Sequence, residues 1–180
     1  MVRDRNYFDK EKYPNVYRGH NYALDIVENK IVSCKYIRGA CNRYLSDLEK
    51  GVFPFDADIA EKFLRLAQKF SHIKGEWVNP LVIYEPWQCW VFMNIYGFQD
   101  PRTGFRRFRT AYLEVARGNG KSVLASISGL YSLSLDNPKG NEVSCFATTS
   151  NQARIVLDSS RAMARGNKSF LKATGTEVLA

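Results

Sequence analysis

Apolar residues recur at helical spacing through the first half of the chain. Leu24, Ile26, Val27, Ile31, Tyr36, Ile37, Cys41, Tyr44, Leu45 and Leu48 follow one another at intervals near three and four. That spacing predicts helix from about Tyr22 to Lys50, with a break near Asn29–Lys30 and a stop at Gly51. Asp56 or Asp58 is placed to cap a following helix whose buried face is Ile59, Phe63, Leu66, Ala67 and Phe70, and Gly75 ends it. Residues 1–20 are polar, spotted with aromatics and without period, and read as an arm. Residues 21–75 therefore read as a helical region.

The pattern changes in the second half. Leu81–Phe98 is apolar and aromatic, and Pro86 suits the first turn of a helix running through Trp87, Trp90, Val91, Met93 and Ile95. Turn residues follow at Asp100, Pro101 and Gly104. Thr110–Ala116 reads as a strand, and small and apolar residues from Val123 to about Leu135 predict a helix stopped by Asp136-Asn137-Pro138. Glu142–Thr148 reads as a second strand. Ser150 or Asn151 can cap a last helix with the stripe Ala153, Val156, Leu157, Ser160 and Ala164. Strand, helix, strand, helix predicts an α/β arrangement with a parallel sheet.

Composition narrows the class of protein. The 180 residues carry a net charge of +8. Residues 1–100 hold 14 basic and 13 acidic side chains, and residues 101–180 hold 12 and 5, so the excess sits in the last 80 residues. Such a one-sided excess fits either a polyanion partner or a solvated surface. No run of 18 apolar residues exists, and the charged start, MVRDRNYFDKEKYP, has no apolar segment of the kind a secretory signal needs. The expectation is a soluble, intracellular protein. Cys34, Cys41, Cys89 and Cys145 form no CxxC pair, and His20 and His72 are the only histidines, so free thiols are expected rather than a zinc site or disulfide framework.

The informative chemistry is Val115-Ala116-Arg117-Gly118-Asn119-Gly120-Lys121-Ser122, between a predicted strand and a predicted helix. It matches the tail of the P-loop pattern without the first glycine, whose place Val115 takes. Consecutive backbone N–H groups at a helix N-terminus form an anion-binding concavity, to which the helix dipole adds. Gly118 and Gly120 let the backbone approach phosphates, and Asn119 lies between them in the same cradle. Lys121 would reach the β- and γ-phosphates of a nucleotide, and the Ser122 hydroxyl would ligate Mg²⁺. Arg117 would supply a second positive charge to the departing γ-phosphate.

With these elements in place, the chain resembles the N-terminal part of the terminase large subunit of tailed bacteriophages, the ATPase of the DNA-packaging motor. Glu85-Pro86-Trp87-Gln88 resembles the family's adenine-recognising segment, in which Gln88 would hydrogen-bond the adenine edge and Tyr84 or Trp87 would pack on the base. Gly104–Arg109 leads into the loop as in the family, and the P-loop variant with an arginine four residues before the lysine is a family mark. Ala147–Ala153 is similar to the exit of the second strand, and Tyr22–Leu48 to the family's N-terminal helices. The similarity spans about residues 20–165.

The resemblance implies a helical region followed by the first part of a P-loop NTPase parallel sheet with flanking helices, an incomplete ATPase domain at residues 76–180. It implies ATP and Mg²⁺ as cofactors. It also implies double-stranded DNA, the terminase small subunit and a portal or procapsid as partners, a ring of like subunits when intact, and the host cytoplasm as location. The carboxylate that holds Mg²⁺ and the glutamate that orients water come later in the family. The expectation is thus a truncated or partial terminase that binds ATP but hydrolyses it poorly. Arg154–Asp158 imitates an apolar run ending in Asp, but it follows Thr148 too closely for a crossover helix and also fits the last helix. Arg102, Arg106, Arg107 and Arg109 are either a solvated loop or a face toward DNA or a neighbouring subunit. Two alternative readings are another P-loop DNA translocase or helicase-like NTPase, and a non-catalytic basic module binding nucleic acid or a partner.

Overall fold

The computed structural model describes residues 1–73, 80–136 and 141–179. Among them stand seven helices: α1 (Pro14–Val27), α2 (Lys35–Lys50), α3 (Ala57–Ala67), α4 (Pro86–Gly97), α5 (Lys121–Ser134), α6 (Ser150–Arg165) and α7 (Lys168–Thr174). The expected stops at Gly75 and at Asn137-Pro138 lie outside the described residues. The chain divides into two compact units. One holds Met1–Arg65 and Tyr84–Tyr112, the other Leu66–Ile83 and Leu113–Ala180.

In the first unit α1 packs on α4 and on α2. The close approach to α4 depends on Gly19: a Cβ there would stand 2.6 Å from Met93 Sδ and 2.8 Å from the Trp90 amide nitrogen. Val16, Ala23, Leu24, Ile26, Cys41, Tyr44, Leu45, Phe63, Met93 and Phe98 are buried around this crossing. Helix α1 begins at Pro14, inside the stretch read as an arm, because a distant side chain caps it. Tyr13 supplies no side-chain cap. The Glu61 carboxylate of α3 instead accepts from the Asn15 and Val16 amides at 3.1 and 3.0 Å, from Asn15 Nδ2 at 2.8 Å and from Arg65 Nε at 3.0 Å. A buried carboxylate is costly unless its oxygens are satisfied, and here an uncapped helix end satisfies them. Asp56 caps α3 by accepting from the Ile59 amide at 2.9 Å.

His20 is buried between the N-terminal segment and α2, with Nδ1 2.9 Å from Tyr44 Oη and Nε2 3.1 Å from the Asp4 carbonyl. The rings of Tyr7 and Phe8 pack on it. Burial lowers its pKa from the ordinary value of 6.5.

In the second unit α5 packs on α6, and α6 on α7. Serines at the first of these contacts bond across it: Ser126 Oγ donates to the Val156 carbonyl at 3.1 Å. Thr149, not Ser150 or Asn151, caps α6, its hydroxyl accepting from the Gln152 amide. Phe70 meets Phe170 edge-on at 5.1 Å.

The expected α/β fold with a parallel sheet is corrected. Among the described residues no strand forms, and the backbone bridges are isolated ones, Phe55 with Phe98, Ser71 with Leu81 and Gln99 with Arg106. The segments Thr110–Ala116 and Glu142–Thr148 form no strand, and Tyr112 is 87% and Phe146 92% exposed. Alternating apolar residues favour extended chain, but a strand exists only where a second segment completes its ladder of hydrogen bonds. No such ladder is formed by either segment among the described residues. Glu114, within the first of these segments, is exposed.

Candidate functional site

The loop between residues 116 and 121 is exposed along its length and ends on α5. Gly118 and Gly120 have φ of 93° and 74°, in the left-handed region where a side chain is strained, so the two glycines are required by this turn. Gly120 is the N-cap of α5, and no side chain caps the helix. The first intrahelical bond here runs from the Leu124 amide to the Gly120 carbonyl at 2.9 Å, so the amides before Leu124 point out of the helix end. The first turn contains no acidic residue. The result is the exposed, uncapped N-terminus of a 14-residue helix, its positive dipole end beside Arg117 and Lys121.

Lys121 is the first residue of α5 and folds back over the loop. Its Nζ donates to the Val115 carbonyl at 2.8 Å and the Ala116 carbonyl at 3.0 Å. Asn119 Nδ2 donates to the same Ala116 carbonyl at 3.2 Å. The ammonium is thereby held near the helix end by acceptors that an incoming anion can replace. The role of the Val115 carbonyl was not legible in the sequence, where Val115 stands only as the residue replacing a glycine, because a backbone acceptor leaves no mark in the side chain. Ser122, the second residue of α5, is exposed and fits a single oxygen ligand to a hard cation. No group of three His, Cys, Asp or Glu able to hold a metal occurs among the described residues.

Tyr84, Trp87 and Gln88 lie in the first unit, at and just before the start of α4. Tyr84 is 2% exposed and stacks with Phe63 and Phe92, at centroid distances of 6.3 and 5.5 Å. Its ring faces are thus occupied by the core, and burial raises its hydroxyl pKa well above 10.0. Trp87 is half-buried. Gln88 forms a capping box with Glu85: its Oε1 accepts from the Glu85 amide at 2.9 Å, and the Glu85 side chain accepts from the Gln88 amide. Gln88 is 9% exposed, and its side-chain nitrogen takes no part in the capping box.

The arginine loop separates by role. Arg107 is a structural residue: Nη1 lies 2.6 Å from Asp47 Oδ2, and the guanidinium stacks on Phe53 and Phe108 at 4.2 and 4.9 Å. Arg102 pairs with Asp100 at 2.8 Å and, with its backbone amide, holds that carboxyl down at about 2. Arg106 lies over Tyr96 at 4.9 Å. Arg109 is exposed. Asp158 lies on α6 with its side chain 62% exposed, 3.8 Å from Arg161. It stands on a helix face rather than at the end of a strand.

A family model described as terminase large subunit, ATPase domain, matches residues 86–179, just over half of the chain. The match takes in α4, the loop and α5 to α7. No curated protein and no solved structure matches the chain.

Proposed function

The chain belongs to the terminase large-subunit ATPase domain family, and from that premise we propose that its loop at Arg117–Ser122 is the phosphate-binding site of a phage DNA-packaging ATPase. The observation that carries this reading is the uncapped N-terminus of α5, free of acidic residues in its first turn and flanked by Arg117 and Lys121. The polyphosphate of ATP accepts from the loop amides of Gly118, Asn119 and Gly120 and from the first amides of α5. Lys121 exchanges the Val115 and Ala116 carbonyls for phosphate oxygens, and Arg117 adds a second positive charge at the terminal phosphate. Ser122 Oγ is one ligand to Mg²⁺, which when bound neutralises charge on the phosphates. The family resemblance assigns the adenine edge to the Gln88 side-chain amide and the flank of the base to Trp87.

In the intact protein this site drives translocation of double-stranded DNA into a procapsid, in a ring of like subunits, with the small subunit and the portal as partners, in the host cytoplasm. No helix among the described residues is long and apolar enough to cross a membrane. Taken alone, the chain binds ATP and hydrolyses it slowly. Of the acidic residues after Lys121, Asp158 and Glu142 are exposed and pair locally with Arg161 and Ser144.

Titration with a fluorescent ATP analogue in the presence of Mg²⁺ tests the site. Lys121→Ala removes a charge-assisted contact of about 1.5–3 kcal/mol and weakens binding about 10- to 150-fold. Gln88→Ala weakens ATP about fivefold and narrows its preference over GTP, as loss of one hydrogen bond of about 1 kcal/mol requires. Equal binding by wild type and Lys121→Ala removes the phosphate site, and an unchanged ATP/GTP ratio leaves Gln88 as a helix cap alone.

A further inference from the structure

Helix α6 turns a row of arginines away from its own unit. Its buried residues, Ser159, Met163 and Ala164, lie on one side, joined by half-buried Ala153, Val156 and Ser160. At 100° per residue, Arg154, Arg161 and Arg165 fall within about 40° of one another on the opposite side. Arg154 and Arg165 are exposed, and the Arg161 side chain is 38% exposed.

The one acidic residue on that face, Asp158, is only loosely engaged. It stands 3.8 Å from Arg161, and both side chains are open to water. Such exposed pairs exchange readily for another anion. Arg165 Nη2 donates to the Leu179 carbonyl at 2.9 Å, which fixes the guanidinium while leaving it charged. None of the three arginines belongs to the phosphate loop. The short helix α7 adds exposed Lys168 and Lys172 one turn apart.

We infer that the outer face of α6, through Arg154, Arg161 and Arg165, is a contact surface for the phosphate backbone of duplex DNA. Eleven residues of helix place the three guanidinium groups along about 16 Å, a length over which one DNA strand presents about five phosphates. The spacing is that of a positioning contact, independent of sequence, since a row of arginines on a convex helix face meets phosphates rather than base edges. The choice of duplex DNA among polyanions rests on the proposed packaging function, but the surface itself does not depend on the nucleotide site.

The test is the salt dependence of binding of a fluorescent duplex to the full chain. Each phosphate contact adds about 0.9 to the slope of log K against log salt. The variant Arg154→Gln/Arg161→Gln/Arg165→Gln is expected to lower that slope by about 2 to 3. The charge-matched variant Lys10→Gln/Lys50→Gln/Lys62→Gln, altering exposed lysines of the other unit, is expected to lower it by less than 1. Asp158→Asn is expected to tighten binding. Far-UV circular dichroism and retained binding of the ATP analogue establish that each variant is folded. Equal slopes for the two triple variants would overturn the proposal, as would absence of duplex binding or equal arginine dependence with heparin in place of DNA. Loss of nucleotide binding by wild type with the arginine effect intact would overturn the phosphate-loop reading and leave this surface standing.

Discussion

The Glu61 carboxylate joins α3 to the start of α1, and Glu61→Gln measures what that link is worth. The side chain is 5% exposed and accepts four hydrogen bonds, two on each oxygen. Glutamine fills the same space but turns one oxygen into a donor. In either orientation two of the four donors then face an N–H₂ group. With the oxygen toward the Asn15 and Val16 amides, the Asn15 side chain and Arg65 lose their acceptor. In the other orientation the helix end loses its cap.

The first orientation is favoured, because Arg65 is half-exposed and can turn to water. Two hydrogen bonds to a charged group, each about 1.5–3 kcal/mol, are lost and partly replaced by hydration, and the charge at the helix N-terminus is lost with them. A net cost of about 3 kcal/mol follows, and for a chain of this length it lowers Tm by about 6–12 °C. Glu61→Ala, which removes the shared acceptor from all four donors, is expected to cost at least as much. The assay is thermal unfolding followed by circular dichroism at 222 nm, with tryptophan fluorescence reporting on Trp87 and Trp90 of the same unit. A Glu61→Gln protein melting within about 1 °C of wild type would refute the capping role.

His20 sets a pH dependence. Its folded pKa lies below 6.5, so near pH 6 the unfolded chain binds more protons, and stability falls as pH drops from 7 toward 5. His20→Gln flattens that fall in urea melts recorded across the window, and an unchanged slope would show that His20 is not its source. The cysteines divide by burial: Cys41 and Cys89 are pushed up to about 12 by burial, whereas Cys34 is exposed at the start of α2 and its thiol is lowered by the Ile37 and Tyr36 amides. A thiol reagent at pH 8 is expected to modify Cys34 rapidly and Cys41 and Cys89 only on unfolding, as peptide mapping would show. Early labelling of Cys41 or Cys89 would contradict the packing of the first unit.

What the sequence determined by itself is local. The spacing of apolar residues located α2 to α6, Asp56 and Pro86 marked helix starts, and Gly118-Asn119-Gly120-Lys121 specified a tight turn running into a helix. Each of these depends on residues within one or two helical turns, so the pattern is complete in a short window. Tertiary structure decided the rest. Pro14 begins a helix because Glu61, far along the chain, accepts its first amides. Tyr84 is a core residue because Phe63 and Phe92 stack on it. Arg107 is withdrawn from solvent because Asp47 and Phe53 receive it. The alternating segments around Tyr112 and Phe146 are not strands, because a strand is a relation between two segments and its partner is not encoded in its own alternation. Helical hydrogen bonds close within four residues, whereas burial, ion pairing and sheet formation are settled by neighbours that only the folded chain brings together.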